Sequence, residues 1–302
     1  MVTLTRPEGS QDADFSPSRR ALGAMFFAGY ALAAVSAQAE AIHTDEAGLI
    51  AGEVAIPQAD APLPAYVARP DAKGRYPVVV VVSEVFGVHE YIRDLCRRLA
   101  KLGYVAVAPA FFHRAGDPAP LTDFGQIQKI VATATNAQVL GDIRAVLTWL
   151  KAQDFVDRGR MAVTGFCWGG AAVWMAAARF PEFKAGAAWY GRLSRPAKDQ
   201  FLGDEDRPWP LDVVGDLRAP VLGFYAGKDK GIPLTDVETM RAKLRDARKK
   251  GDLIVYPEAQ HGFHADYRST YDEPAAKDAW ARMLDWFARN GVKPGAKRGA
   301  FG

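Results

Sequence analysis

Five consecutive valines, residues 78–82, constrain the fold of this chain more than any other feature. β-Branched side chains favour strands, and an apolar run without polar alternation indicates a strand that is buried on both faces. Such a strand needs helices on either side of its sheet. The run therefore predicts a layered α/β protein.

Strand and helix patterns alternate along most of the chain. Two short β-prone pieces, 52–56 and 65–68, precede the valines and are separated by prolines, which predicts an antiparallel opening hairpin. Later strands are predicted at 104–108, 161–164, 185–189, 221–225 and 253–256, and helices at 91–102, 139–150, 234–249 and 275–290. Because such alternation implies right-handed crossovers, we expect a mostly parallel central sheet with helices on both faces and short antiparallel N-terminal strands.

The N-terminal segment differs from the rest of the chain. Arg19 and Arg20 precede an uncharged, Ala-rich stretch, residues 21–39, which ends in the small-residue triplet Ala-Gln-Ala. This order is typical of a twin-arginine export signal, so we expect the twin-arginine machinery as a partner and a periplasmic or secreted mature protein. An uncleaved membrane anchor and a plain N-terminal extension are the alternatives.

Length and composition favour a single domain after this segment. The 302 residues show no internal repeat and no linker, so we predict a signal over 1–39, one α/β domain over 40–292 and a flexible tail over 293–302. A net charge of +3, from 38 basic and 35 acidic residues, lacks the concentrated field that nucleic-acid binding needs. Two cysteines are too few for a disulfide framework. We also expect a monomer.

The strongest chemical signal is a glycine-flanked cysteine, Cys167, in the sequence Gly-Phe-Cys-Trp-Gly. It follows a predicted strand and precedes an Ala-rich helix, which is the spacing of a nucleophile elbow with Cys in place of Ser. Gly165 and Gly169 let strand and helix approach, and the positive end of the helix dipole favours a thiolate. The backbone N–H of Trp168 would then be one oxyanion donor. Alternatively, Cys167 is a small buried hydrophobic residue.

Two further candidates lie where later strands end. Asp229 follows the strand at 221–225 in a glycine-flanked loop, and His261 follows the strand at 253–256. Parallel strands bring their carboxyl ends to one edge of a sheet, so these side chains are expected to meet Cys167 there. The order nucleophile, acid, histidine is that of α/β-hydrolases and predicts an orienting acid and a base. Taken singly, each would be an ordinary loop residue.

These motifs resemble the dienelactone hydrolase family, together with the segments 83–87 (Ser-Glu-Val-Phe-Gly) and 258–263 (Glu-Ala-Gln-His-Gly-Phe). The resemblance covers residues 52–290 and implies an α/β-hydrolase fold. It also implies the reaction, in which Cys167 attacks a small lactone or ester to form a thioester, and water activated by His261 hydrolyses it without a metal or organic cofactor. A Cys-dependent esterase, thioesterase or acyltransferase on an uncharged substrate is the alternative, and a non-catalytic binding protein a more distant one.

The family resemblance assigns two more site residues. It implies that Glu84 pairs with the resting thiol and moves away when substrate enters, and that the backbone N–H of Val85 is the second oxyanion donor. Independently of the family, Glu84 could simply cap the helix that follows.

One position departs from the family pattern. Members that bind the carboxylate of a dienelactone carry an Arg four residues after the catalytic His, where this chain has Ala265, so dienelactone itself is not the expected substrate. Arg114 lies near the family's other substrate-binding Arg without a secure match. His264 and Arg268 are expected to be solvated loop residues, and Cys96 a buried packing residue. No metal site is expected, because the histidine pair in this loop lacks a clearly placed third ligand.

Overall fold

The structure, a computed structural model, describes residues 42–196 and 205–295. Its strands are β1 (Leu49–Ile56), β2 (Leu63–Pro70), β3 (Tyr76–Val82), β4 (Val105–Pro109), β5 (Val156–Phe166), β6 (Phe183–Trp189), β7 (Val221–Ala226) and β8 (Gly251–Tyr256). Its helices are α1 (Glu90–Lys101), α2 (Phe124–Val131), α3 (Asn136–Ala152), α4 (Trp168–Arg179), α5 (Leu234–Asp246) and α6 (Glu273–Arg289).

The strands form one sheet in the order β1-β2-β4-β3-β5-β6-β7-β8. β2 pairs antiparallel with both β1 and β4, and all other neighbours are parallel. The predicted mostly parallel sheet with an antiparallel N-terminal hairpin is confirmed. Because β4 and β5 lie on opposite sides of β3, the chain changes direction there and leaves a crevice at the carboxyl ends of β3 and β5.

The valine strand lies at the centre of the core. Every residue of β3 is buried, as the unbroken apolar run predicts. Around it, α1 packs on β2 and β4, α4 on β5 and β6, and α6 on β6 and β7. β3 and β5, the two strands that border the crevice, each lie between two neighbouring strands of the sheet.

Two elements differ from the predicted pattern. β5 begins at Val156 rather than at 161, because polar residues in its exposed first half hide the strand signal. The short helix α2 was not predicted. It has only two buried residues, Ile127 and Val131, so its apolar period is too brief to recognise, although Asp123 caps it by accepting a hydrogen bond from the N–H of Gln126 at 2.8 Å.

Part of the predicted organisation falls outside these residues. The expected export signal over 1–39 and residues 296–302 of the expected tail lie outside the described residues. In the ranges that are described, no helix combines the length and the apolar character needed to cross a membrane.

Candidate active site

The turn between β5 and α4 places Cys167 at a helix N-terminus with a strained backbone. Cys167 has φ 54° and ψ −115°, and its N–H donates to the carbonyl of Trp189 at 2.9 Å. A Cβ on Gly165 would lie 2.4 Å from the carbonyl oxygen of Gly169, and one on Gly169 would lie 2.4 Å from that of Val82. Only glycine fits at both positions. The strand-to-helix turn that the sequence predicts is therefore present, with the thiol at its apex.

Asp229 and His261 lie beside this turn at the same edge of the sheet. Nδ1 of His261 hydrogen-bonds to Oδ2 of Asp229 at 2.6 Å, and Oδ1 accepts from the N–H of Gly231 at 2.8 Å. The Asp229 side chain is 1% exposed and that of His261 12%. Because Nδ1 is engaged by the carboxylate, Nε2 is the nitrogen available to the thiol of Cys167. The structure thus brings together the three residues that the sequence singled out.

Charge interactions favour an ionised thiol beside a protonated imidazole. Burial raises the pKa of the Cys167 thiol and lowers that of the His261 imidazole, because both charged forms lose hydration. The positive charge and hydrogen bond of His261 outweigh burial at the thiol and hold its pKa below the usual value. The charges of Asp229 and Cys167 likewise hold the pKa of His261 above its usual value. The two groups therefore stabilise each other as thiolate and imidazolium.

Val85 and Trp168, whose N–H groups are the expected oxyanion donors, line the same pocket as Cys167. Trp168 is the first residue of α4, where backbone N–H groups have no acceptor within the helix. Its ring packs edge-on against Phe112, with centroids 4.9 Å apart, which anchors the turn. Val85 directly follows Glu84 at the end of β3 and is almost fully buried.

Glu84 is completely buried, and three side chains surround its carboxylate. The Tyr267 hydroxyl donates to Oε2, Nη2 of Arg268 lies 3.1 Å from Oε1, and Nε2 of His89 lies 3.5 Å from Oε2. Burial alone would raise the pKa of Glu84, but the charge of Arg268 and the contacts of His89 and Tyr267 lower it to about 2. The carboxylate thus stays ionised, in contact with these three side chains.

The expectation that Arg268 is a solvated loop residue was wrong. Its residue surface is 9% exposed, because the loop after β8 folds inward and brings the guanidinium to Glu84. A carboxylate without access to water needs a cation nearby, and Arg268 supplies it.

His264 and Arg114 also have structural roles that the sequence did not reveal. His264 was expected in solvent but is 4% exposed, with Nδ1 2.7 Å from the hydroxyl of Tyr91 and its ring stacked on Trp280. Arg114 donates to both carboxylate oxygens of Asp142, at 2.9 and 3.0 Å, and so ties its loop to α3. Cys96 is fully buried in α1, as predicted, and burial raises the pKa of its thiol.

The pocket at Cys167 is mostly apolar. Its apolar wall is formed by Val85, Val139, Ala171, Ala172, Met175, Tyr190, Trp209, Pro210 and Ile232. Two arginines, Arg192 and Arg207, also line it, and within the described residues no aspartate or glutamate does. Arg207 lies 3.6 Å from the carboxylate of Glu205, while Arg192 has no carboxylate within ion-pair distance among the described residues.

Neither of these arginines lies in one of the predicted motifs. Arg192 could have been found, because it follows β6 by three residues and therefore lies at the sheet edge where the other candidates meet. Arg207 follows no strand end and belongs to no motif. Nothing in its sequence context indicates that the chain returns to the pocket at this point. In the described part of the chain, no three His, Cys, Asp or Glu side chains cluster in a way that could hold a metal ion.

Known proteins resemble this chain over most of its length. The sequence profile of the Dienelactone hydrolase family matches residues 63–291. A Methylorubrum extorquens protein named "Putative carboxymethylenebutenolidase" is 47% identical over 281 residues, which cover 91% of this chain and 94% of that protein. A Bradyrhizobium protein named "Probable 2-oxo-3-(5-oxofuran-2-ylidene)propanoate lactonase" is 32% identical over 220 residues, which cover 73% of this chain and 86% of that protein.

A solved structure gives the same result for the fold. The crystal structure of a "Putative Dienelactone Hydrolase" from Klebsiella pneumoniae matches with a TM-score of 0.74 and 48% sequence identity. The match covers 80% of this chain and 99% of that one.

Proposed function

Because the chain belongs to the dienelactone hydrolase family and has its α/β-hydrolase fold, we propose that it hydrolyses a small lactone or carboxylic ester through a thioester on Cys167. The supporting observation is the chain of contacts at the sheet edge. Asp229 hydrogen-bonds to Nδ1 of His261 at 2.6 Å, and the other ring nitrogen serves a thiol that is held on a strained turn. This is the arrangement that nucleophilic acyl transfer needs.

The proposed reaction assigns a defined task to each site residue at each step. Sγ of Cys167 attacks the carbonyl carbon, and the N–H groups of Val85 and Trp168 stabilise the negative charge that develops on oxygen. When the tetrahedral intermediate collapses, the ester C–O bond breaks and the leaving oxygen takes a proton from Nε2 of His261. The acyl group remains as a thioester. Water, deprotonated by the same nitrogen, then attacks this thioester and releases the thiolate, while Asp229 keeps the imidazole oriented.

The arginines support a substrate that carries a carboxylate in addition to its ester. A hydrogen bond between a guanidinium and a carboxylate contributes about 1.5–3 kcal/mol in a partly desolvated site. The cation that the family pattern places at position 265 is absent, but Arg192 and Arg207 give the pocket positive charge from another direction. The Bradyrhizobium relative is named for a propanoate, which is an anionic substrate.

The thiol mechanism is tested with Cys167→Ala and the matched variant Cys96→Ala. We expect Cys167→Ala to lower kcat/KM for 4-nitrophenyl acetate by about 10³-fold or more, whereas Cys96→Ala, at a packing site outside the pocket, should keep turnover. Quenched wild-type reactions should show an acyl group on Cys167 by mass spectrometry. Full activity of Cys167→Ala would exclude the thioester.

The substrate class is tested with pairs of esters and lactones that differ only in a carboxylate. Arg192→Ala should raise KM for the anionic member by about tenfold and leave the neutral member unchanged, because a single charge-assisted contact is lost. Arg195→Ala is the matched control, since Arg195 is exposed and pairs with Asp206. Equal activity on both members, unaffected by Arg192→Ala, would favour the esterase or acyltransferase on an uncharged substrate.

A further inference from the structure

The carboxylate of Glu84 is held from two directions in the protein interior. Tyr267 and Arg268 come from the loop after β8, the loop that also carries the triad histidine, and His89 is the residue immediately before α1. Glu84 is fully buried and Tyr267 is 1% exposed. A buried carboxylate can stay ionised only where donors and a cation replace its lost water. These contacts fix both the charge of Glu84 and the direction in which its oxygens point.

Aromatic packing holds the surrounding groups in place. The His89 ring meets the Tyr267 ring edge-on, with centroids 5.0 Å apart, and Tyr267 meets Tyr91 in the same way at 5.3 Å. The guanidinium carbon of Arg268 lies 5.3 Å from the centre of the Phe86 ring. Rotation of Tyr267 or His89 away from the carboxylate would break these contacts as well as the polar ones.

The charge of Glu84 acts on the nucleophile. Apart from burial, the groups that shift the pKa of Cys167 are His261 and Arg268, which lower it, and Glu84, which raises it. Tyr190, at the end of β6, also interacts electrostatically with the thiol. A Glu84 carboxylate that left Arg268 would oppose ionisation of the thiol more strongly, and its oxygens would be free to accept a hydrogen bond from S–H. Retention of Glu84 on Arg268 avoids both effects.

We propose that Tyr267 and His89 are positioning residues that lock the Glu84 carboxylate onto Arg268, so that the proton of Cys167 already resides on His261 before substrate binds. In this proton transfer the S–H bond breaks, Sγ keeps the electron pair, and Nε2 of the imidazole binds the proton. The inference rests on the proposed function, because it takes Cys167 as the nucleophile. It differs from the movement implied by the family resemblance, since activation here requires no displacement of Glu84 by substrate.

Alkylation of Cys167 by iodoacetamide measures the thiolate without any turnover. The rate is followed by intact-protein mass spectrometry between about pH 5 and pH 10, and the buried Cys96 serves as an unreactive internal reference. Between about pH 8 and pH 5 the wild-type rate should fall far less than the several hundredfold that an unperturbed thiol would lose over that range.

Tyr267→Phe removes only the hydroxyl that donates to Glu84. It should move the alkylation midpoint upward by about half a pH unit or more, which corresponds to about threefold slower alkylation on the acidic side. His89→Phe keeps an aromatic ring at that site and should shift the midpoint in the same direction. Tyr271→Phe, a partly exposed tyrosine of the same loop, is the matched control and should leave the midpoint unchanged. Circular dichroism checks that each variant is folded.

A double-mutant cycle separates this role from a merely structural one. Glu84→Gln leaves no carboxylate to release, so Tyr267→Phe should not move the midpoint in the Glu84→Gln background. A shift that persists there, or a wild-type profile for Tyr267→Phe alone, overturns the proposal. Failure of the proposed function gives a different result. In that case wild-type Cys167 itself would show the steep pH dependence of an ordinary thiol.

Discussion

At Cys167 the backbone adopts a positive φ that costs about 1–3 kcal/mol for a residue with a side chain. The surrounding backbone enforces this conformation. The N–H of Cys167 is bound to the carbonyl of Trp189, and the carbonyl of Cys167 accepts from the N–H of Gly170 at 2.9 Å. Strain at Cys167 is thus balanced by the packing of β5, β6 and α4, and any side chain that separates these elements should disturb the thiol.

Gly169→Ala tests this dependence. The new Cβ would lie 2.4 Å from the carbonyl oxygen of Val82, and backbone atoms cannot yield as a flexible side chain would. We expect a loss of about 1–3 kcal/mol in the free energy of unfolding, together with a loss of activity, measured by urea denaturation and ester hydrolysis.

Gly141→Ala is the matched control for that substitution. Gly141 lies within α3, and a Cβ there would meet no atom within 4 Å. Because alanine is more favourable than glycine in the interior of a helix, the free energy of unfolding should rise by about 0.5–1 kcal/mol in this variant, and its activity should be unchanged. Equal effects of the two variants would contradict the assignment of the Gly169 clash.

His264 should make the protein sensitive to mild acid. Burial lowers the pKa of His264 to about 3 in the folded protein, whereas its usual value is 6.5. Below pH 6.5 the unfolded chain therefore takes up a proton that the folded protein does not, and stability falls as the pH falls. His264 should contribute about 1.4 kcal/mol per pH unit to the slope of the unfolding free energy against pH. His264→Phe should therefore reduce the dependence of the unfolding free energy on pH between about pH 6.5 and pH 5. An unchanged dependence would contradict the lowered pKa of His264.

The sequence predicted those site residues that belong to motifs at strand ends. Cys167, Asp229 and His261 each follow a recognisable strand, so parallel topology alone places them together. Arg268 and Tyr267 could not be located in this way. They belong to a loop whose path is set by contacts with Glu84 and with α1, and those contacts are absent from any local pattern. For the same reason the sequence misplaced His264 in solvent.

At the level of elements, long apolar patterns were predicted well and short ones were not. The family resemblance and the α/β-hydrolase fold are confirmed by the profile match and by the Klebsiella pneumoniae structure. The five valines of β3 needed no tertiary information, because their burial on both faces is the only way to remove so much apolar surface from water. By contrast, α2 depends on a cap and two apolar contacts, which no window of the sequence distinguishes from a loop.

The N-terminus of α3 connects secondary structure to the pocket. Oγ1 of Thr135 accepts from the N–H of Gln138 at 3.2 Å, and the Gln138 side chain accepts from the N–H of Thr135 at 3.1 Å, which forms a capping box. The N–H of Asn136 also donates to the carboxylate of Glu205, at 2.8 Å to the nearer oxygen. Because Asn136 and Val139 line the pocket, fraying of this helix end would loosen one of its walls.

Thr135→Ala should therefore destabilise the protein by about 1 kcal/mol, the usual effect of losing a helix cap. Thr148→Ala, at an exposed position in the middle of the same helix, should be neutral or slightly stabilising, because within residues 42–196 and 205–295 its hydroxyl bonds only to the carbonyl of Arg144. Thermal denaturation of the two variants separates loss of the cap from loss of a threonine. A larger loss of stability in Thr148→Ala than in Thr135→Ala would contradict the role of Thr135 as the helix cap.

In the molecule as a whole, the candidate site depends on every strand from β3 to β8 except β4. Glu84 follows β3, Cys167 follows β5, Arg192 follows β6, Asp229 follows β7 and His261 follows β8. A sheet in which these strands are parallel neighbours delivers all five side chains to one edge without any long loop. The antiparallel pair β1 and β2 lies at the far side of the sheet and contributes none of them.

The N-terminal region should consist of one dispensable and one structural part. We propose that residues 1–39 are an export signal, so their removal should leave activity and melting temperature unchanged. Removal of residues 1–48 should act differently. The N–H of Thr44 donates to the buried Asp94 at 2.5 Å, and the carbonyl of Thr44 accepts from the buried Arg97 at 2.8 Å. Loss of these contacts should cost about 1–3 kcal/mol, or roughly 3–10 °C in melting temperature, because two buried charges lose a backbone partner each.

Comparison of the two truncated proteins decides where the folded enzyme begins. If both melt like the full chain, the contacts of Thr44 add no measurable stability, and the surrounding ion pairs of Asp94 with Arg97 and Arg98 suffice. If removal of residues 1–39 alone destabilises the protein or lowers kcat/KM, that segment takes part in the folded enzyme, which a cleaved signal cannot do. The expected difference therefore tests the export signal and the structural role of the segment after it with the same measurement.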